Sequence, residues 1–145
     1  MAIVLFDTNV LIDFMTGLPE AVEVVAGAEY ESKIISSINW MEVACKLPQD
    51  LIAEFRMQLL LLDIDVVHTS DQIMVKATAF RKASLKENTK KFLPDCIIWA
   101  TANMENRIII TRNAKDFGGP GPFVHVPYEY NADTKVVSNV KPPLM

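Results

Sequence analysis

Cysteine, histidine and glycine are scarce in this chain, and each scarcity removes a class of function. Of 145 residues, two are cysteine (Cys45 and Cys96) and two are histidine (His68 and His125). Neither thiol has a C-x-x-C partner, and two are too few for a disulfide framework in a chain this size, so a reducing, cytoplasmic compartment is expected. Both cysteines sit in apolar helical patterns and read as small buried hydrophobes. Each histidine stands alone on a strand-like segment and reads as a packing residue rather than a metal ligand. The five glycines form neither a G-x-G-x-x-G nor a Walker loop; Gly118, Gly119 and Gly121 share one turn and precede no helix. No Ser-His-Asp or Cys-His set is apparent. The opening Met-Ala-Ile-Val-Leu-Phe lacks a basic start and meets Asp7 too early for a signal peptide. No charge-free apolar run approaches the ~18 residues of a membrane span. A soluble protein with no membrane contact is expected.

An excess of positive charge is also missing, since the net charge is −4. Its distribution is uneven. Lys76, Arg81, Lys82, Lys86, Lys90 and Lys91 face a single anion, Glu87, between positions 76 and 91, a local +5 that leaves −9 for the remainder. A basic segment in an acidic protein reads either as a phosphate footprint or as a solvated helix face.

Half of the residues are apolar and 22% charged, the composition of one ordinary globular domain. Short apolar runs alternate with helical patterns, which signals an α/β fold with a mostly parallel sheet. Strands are expected at Ala2–Phe6, Ile34–Ser37, Val66–Val67, Ile108–Thr111 and Phe123–Val126. Helices are expected through Met15, over Pro19–Ala28, Ile38–Leu47 and Asp50–Leu62, from Ser70 to about Ser84, and from Pro94 to about Asn106. Lys86–Phe92 reads as a basic loop. The segment from Pro127 has no period. One domain is expected over residues 1–130, with 131–145 a tail that packs partly or frays.

The acids fall in a pattern. Asp7 follows the first strand, Glu42 lies early in the helix after the second, and Asp95 stands in the first turn of a helix. Asn113 and Asp116 follow the strand Ile108–Thr111. Each has a plain reading as a cap or a dipole partner. Together they deliver oxygen groups from four segments to the carboxyl edge of a parallel sheet, where open α/β folds bind ligands. Two carboxylates ~4 Å apart repel by about 4 kcal/mol at an effective dielectric of ~20, so convergence calls for a cation. An oxygen-only set suits Mg²⁺ or Mn²⁺. The matching chemistry is metal-assisted phosphodiester hydrolysis.

The segments Val4-Leu5-Phe6-Asp7-Thr8-Asn9-Val10-Leu11-Ile12, Ser36-Ser37-Ile38-Asn39-Trp40-Met41-Glu42-Val43, Leu93-Pro94-Asp95-Cys96-Ile97-Ile98-Trp99-Ala100-Thr101-Ala102 and Ile110-Thr111-Arg112-Asn113-Ala114-Lys115-Asp116-Phe117 resemble, in order and spacing, the four motifs of PIN-domain nucleases. A chain this short is similar to the VapC toxins of toxin–antitoxin pairs. The resemblance implies a three-layer α/β/α fold, Mg²⁺ or Mn²⁺ dependence, endonucleolytic cutting of RNA, dimerisation, and inhibition by an antitoxin protein. By position Asp7, Glu42 and Asp95 carry over as core acids, with Asp7 and Asp95 as metal ligands. The fourth acidic position falls on Asn113, a departure for which Asp116 is the supplement. Asn9 and Thr111 are expected to support the ligands, with Asn9 orienting Asp7. In such a fold Lys86, Lys90 and Lys91 lead into Asp95 and become candidates for RNA binding. Three alternatives stand beside this reading: a PIN-like RNA-binding module weak in catalysis, an RNA-processing nuclease outside toxin systems, and a phosphoacceptor receiver domain. The last lacks its expected paired acids after the first strand.

Overall fold

The first strand sets the architecture. Ile3–Phe6 (β1) is apolar throughout, and its alternating side chains enter two different cores. Val4 and Phe6 point to one face of the sheet and Leu5 to the other, as the period of two requires. A computed structural model describes residues 1–88 and 91–144. In it β1 is the centre of a five-stranded, wholly parallel sheet of order β3-β2-β1-β4-β5. The other strands are β2 (Ser32–Ser36), β3 (Ile64–Val67), β4 (Ile108–Ile110) and β5 (Val124–His125). Strand order runs outward to β3 on one side and restarts at β4 on the other, which makes the β1/β4 boundary the switch point.

Helices cover both faces, as parallel strands demand. On the Val4/Phe6 side the core gathers Val10, Leu11, Val25, Val43, Phe55 and Leu59. These come from α1 (Thr8–Met15), α2 (Pro19–Ala26), α3 (Ser37–Lys46) and α4 (Gln49–Leu61). The Leu5 face packs on Ile98 and Ala102 of α6 (Leu93–Met104), which in turn packs on α5 (Asp71–Lys86). This is the three-layer α/β/α arrangement.

Local sequence explains the boundaries. Ser36 caps α3, accepting from Ile38 N at 3.1 Å, while Asn39 closes a capping box by accepting from Ser36 N at 2.9 Å. Ser70 caps α5 through Ile73 N at 3.2 Å. With few glycines available, Asp63, Asn88 and Asn106 take the left-handed conformation just beyond α4, α5 and α6, where helices usually recruit glycine. The α2 terminus is closed differently. Lys33 of β2, itself buried, donates from Nζ to the carbonyls of Val25 and Gly27, both at 2.7 Å.

Several sequence expectations need correction. Helix α5 runs through Lys86, so that residue ends a helix instead of opening a basic loop. Cys45 is exposed, because α3 buries Asn39 and Val43 and residue 45 lies about 200° round from Val43. The segment after Pro127, expected to pack partly or fray, is partly packed and carries a hairpin that its lack of period concealed. Glu129–Asn131 (β6) pairs antiparallel with Val136–Ser138 (β7), Tyr128 is fully buried, and Leu144 packs on the main core. No helix among the described residues is long and apolar enough to cross a membrane.

Candidate active site

The switch point places Asp7, one residue past β1, beside the chain that leaves β4. Asp7 is 6% exposed, and donors surround its carboxylate. Oδ1 accepts from Thr8 N at 2.8 Å and Asn39 Nδ2 at 3.4 Å. Oδ2 accepts from Thr111 Oγ1 at 2.8 Å and Asn9 Nδ2 at 3.4 Å. Asp7 is also the N-cap of α1, so capping and site-building are one arrangement.

Glu42, Asp95 and Asp116 line the same cavity as Asp7, an open hollow of about 340 Å³ that Thr8, Asn9, Ile12, Lys46 and Arg112 complete. Glu42 Oε1 accepts from Thr8 Oγ1 at 2.7 Å, and Asn39 Nδ2 donates to that hydroxyl at 3.1 Å, which ties α3 to the end of β1. Asp95 reaches the pocket from the first turn of α6. Asp116 sits in a 3₁₀ turn, Ala114–Phe117, that ends on Gly118 at φ +86°.

Asn113 does not line this cavity. Its Nδ2 donates to Asp116 Oδ2 at 2.6 Å, and its backbone N–H donates to Thr111 Oγ1 at 2.9 Å. The amide at the fourth acidic position therefore holds a carboxylate that faces the cavity. Asn9 bridges Asp7 and Thr111, at 3.4 and 3.3 Å, and accepts from Arg112 N at 3.1 Å. Lys86 is exposed at the end of α5, outside the cavity lining. Lys91 Nζ donates to the Lys115 carbonyl at 3.0 Å and lies 5.1 Å from the Trp99 ring centre. Lys90 falls outside the described residues.

Sequence reasoning passed over Thr8, Asn39, Lys46 and Arg112. For Thr8 and Asn39 a signal was present, because both lie within motifs that were otherwise read for their acids. Arg112 also lies within such a motif, but its contacts are with distant segments that the motif does not reveal.

Two carboxyls of the cavity are shifted upward. Burial pushes the Asp7 carboxyl up to about 6, against the bonds from Thr111 and Thr8, with further upward pressure from Glu42 and Asp116. Asp95 is likewise raised to about 6 by burial and then by Asp116, Asp7 and Glu42, with Lys91 opposing. Among the described residues, no three acids, histidines or cysteines stand close enough to hold one ion between them. A pair does fit. Mg²⁺ commonly takes only one or two carboxylates directly and keeps several waters, and this donor set is oxygen alone.

A parallel α/β sheet with carboxylates gathered at its switch point is the build of the PIN domain, and the profile of that domain matches residues 4–118. The chain belongs to the PIN domain family, a family of nucleases. Within it the chain is VapC-like. It is 36% identical to a chain of a toxin–antitoxin complex from Klebsiella pneumoniae, covering 87% of this chain and 98% of that one, with TM-score 0.70. At 17% identity, VapBC2 from Rickettsia felis bound to a promoter DNA fragment shares the fold (85% and 97% covered, TM-score 0.68). So does DNA-bound VapBC from Salmonella typhimurium, at 21% (86% and 98% covered, TM-score 0.67). No curated protein matches the chain.

Proposed function

We propose that the protein is a Mg²⁺- or Mn²⁺-dependent endoribonuclease and the toxin of a toxin–antitoxin pair. The observation that carries this reading is the cavity at the switch point, lined by Asp7, Glu42, Asp95 and Asp116, where burial raises the carboxyls of Asp7 and Asp95 to about 6. Asp7 and Asp95 would hold the metal, with Glu42 and Asp116 placed to orient water beside it. The chemistry a divalent ion would supply there is neutralisation of phosphate charge and a lowered pKa for water.

The remaining residues prepare that chemistry. Thr8 N, Thr111 and Asn9 hold both Asp7 oxygens in one orientation, so no reorganisation is needed when substrate arrives. Thr8 fixes Glu42, and Asn113 fixes Asp116. The Asp116 carboxylate meets the charge requirement that Asn113 leaves unmet, which favours an active enzyme over a binding module.

Lys86 and Lys91, together with Lys90 of the same basic segment of sequence, supply cations for phosphate binding, and RNA is the substrate. An antitoxin protein and a second copy of the chain are the partners, in the cytoplasm. Exposed apolar side chains on α3 and α4, Met41, Met57, Leu60 and Leu61, support a protein-covered face, with Leu60 77% exposed.

The test compares cleavage of a structured RNA pool by wild type and Asp95→Asn, each with Mg²⁺, Mn²⁺ or EDTA. The preparation must be free of copurified partner. Metal-dependent cutting that disappears in the variant supports the reading. A folded, partner-free wild type that cuts no RNA with either metal overturns it.

A further inference from the structure

Beside the four carboxylates sits a cation that does not pair with any of them. Arg112 lines the acid cavity, yet its guanidinium pairs with Asp13, a buried residue of α1 outside that lining. Nε donates to Asp13 Oδ2 at 2.7 Å and Nη2 to Oδ1 at 3.3 Å, a two-point fork. Tyr128 Oη donates to the same Oδ2 at 2.8 Å, and the Tyr130 ring centre lies 5.6 Å from Arg112 Cζ. The Arg112 backbone N–H is fixed by Asn9. Among the described residues, Nη1 makes no hydrogen bond.

This is an expensive arrangement for a strut. It immobilises an arginine, buries its carboxylate partner and brings two tyrosines from the C-terminal segment. Nearby acids would attract a free arginine into the cavity and close it. Holding the guanidinium through Nε and one Nη2 hydrogen prevents that collapse and leaves three N–H donors uncommitted, two on Nη1 and one on Nη2, on a side chain that lines the cavity. Donors fixed beside a phosphodiester site, with no reorganisation left to pay, are suited to a phosphate oxygen.

We infer that Arg112 is a substrate-contacting residue that donates from Nη1 to a phosphate oxygen of the bound RNA, with Asp13 and Tyr128 as the positioning residues that aim it. The inference rests on the nuclease reading for its substrate. It gives the segment after Pro127 a part in the site, since Tyr128 and Tyr130 complete the setting of Arg112.

The test uses the full chain and two readouts. One is the cleavage rate on the RNA pool; the other is the affinity of a short fluorescein-labelled single-stranded RNA across a salt series, in an Asp95→Asn background. Removing Arg112 alone leaves Asp13 a buried, unpaired charge and risks unfolding, so the key variant is Asp13→Asn/Arg112→Gln. We expect it to stay folded, to cut ~100-fold more slowly, and to lose about 0.7 from the salt slope, the share of one phosphate contact on a single strand. Arg112→Lys keeps the charge but not the fork and should also lose cutting. Tyr128→Phe should slow cutting several-fold alone and add nothing to Asp13→Asn/Arg112→Gln, because it acts through the guanidinium. Wild-type cutting and an unchanged slope in the folded double variant would overturn the inference and leave Arg112 a strut. If wild type cuts nothing but the slope still falls in the variant, the phosphate contact stands and the nuclease reading fails.

Discussion

Asp7 is a buried carboxylate raised to about 6 from an ordinary value of 3.8, so metal-free protein should lose stability as pH rises. A carboxyl with a raised folded pKa stabilises the fold fully below its unfolded value. That contribution disappears as pH climbs through the folded one. The full difference is about 3 kcal/mol at about 1.4 kcal/mol per unit, of which about half is already lost by pH 5. Between pH 5 and pH 8 the remaining ~1.5 kcal/mol corresponds to a fall in Tm of ~5 °C for a domain of this length. His125, lowered by burial and by Lys141, contributes in the opposite direction as pH rises. The diagnostic quantity is therefore the difference between wild type and Asp7→Asn, measured by scanning calorimetry in EDTA. The wild-type profile should fall relative to the variant, and Mg²⁺ should restore it at pH 8 far more than at pH 5. Parallel profiles for the two proteins, or a Mg²⁺ effect equal at both pH values, would refute the assignment of Asp7 to a cation-seeking pocket.

Other perturbations reach separate parts of the molecule. Lys33→Met leaves the Val25 and Gly27 carbonyls without their buried donor and should cost about 1–3 kcal/mol in urea unfolding, with the cavity residues untouched. Asn39→Ala removes both the capping box of α3 and a donor to Asp7 and Thr8; it should lower stability by ~1–2 kcal/mol and weaken Mg²⁺ binding measured by calorimetric titration. Replacing Lys86, Lys90 and Lys91 with Ala should flatten the salt dependence of single-stranded RNA binding by about 2, and an unchanged slope would return them to a solvated surface. Gly118→Ala forces a side chain into φ +86° within 3.4 Å of Trp99 and should lower Tm by a few degrees.

How far the sequence could be read depended on whether a feature was local. The β1 run, the Ser70 cap and the Pro94 helix start are written in consecutive residues, and the parallel sheet followed from their alternation with helices. Asp7, Glu42 and Asp95 could be singled out because Asp7 stands at the junction of β1 and α1, Glu42 lies in the helix that follows β2, and Asp95 follows a helix-opening proline. Asn113 was misleading when judged by charge alone, since its partner Asp116 lies three residues on and the 2.6 Å bond between them is visible only in space. The hairpin after Pro127 left no periodic trace because its strands are three residues each and largely exposed. Cys45 was misplaced because α3 carries a narrow buried stripe, Asn39 and Val43, within a segment apolar on several sides. Arg112 and Tyr128 are separated by sixteen positions and meet only through Asp13, 99 and 115 positions away from them respectively.

The order of the sheet also has a consequence in time. The central strand pairs through Leu5 with Ile34 on one side and Ile109 on the other, so its second neighbour is made about a hundred residues after it. The first neighbour precedes the second by about 75 residues, so at a synthesis rate of roughly 5–20 residues per second a growing chain spends on the order of 4–15 s with β1 half-paired. Through that interval Asp7 has no Thr111 to hold it, and Asp116 has yet to arrive. Whatever the acid cavity does, a ribosome-bound fragment that stops short of β4 cannot do it.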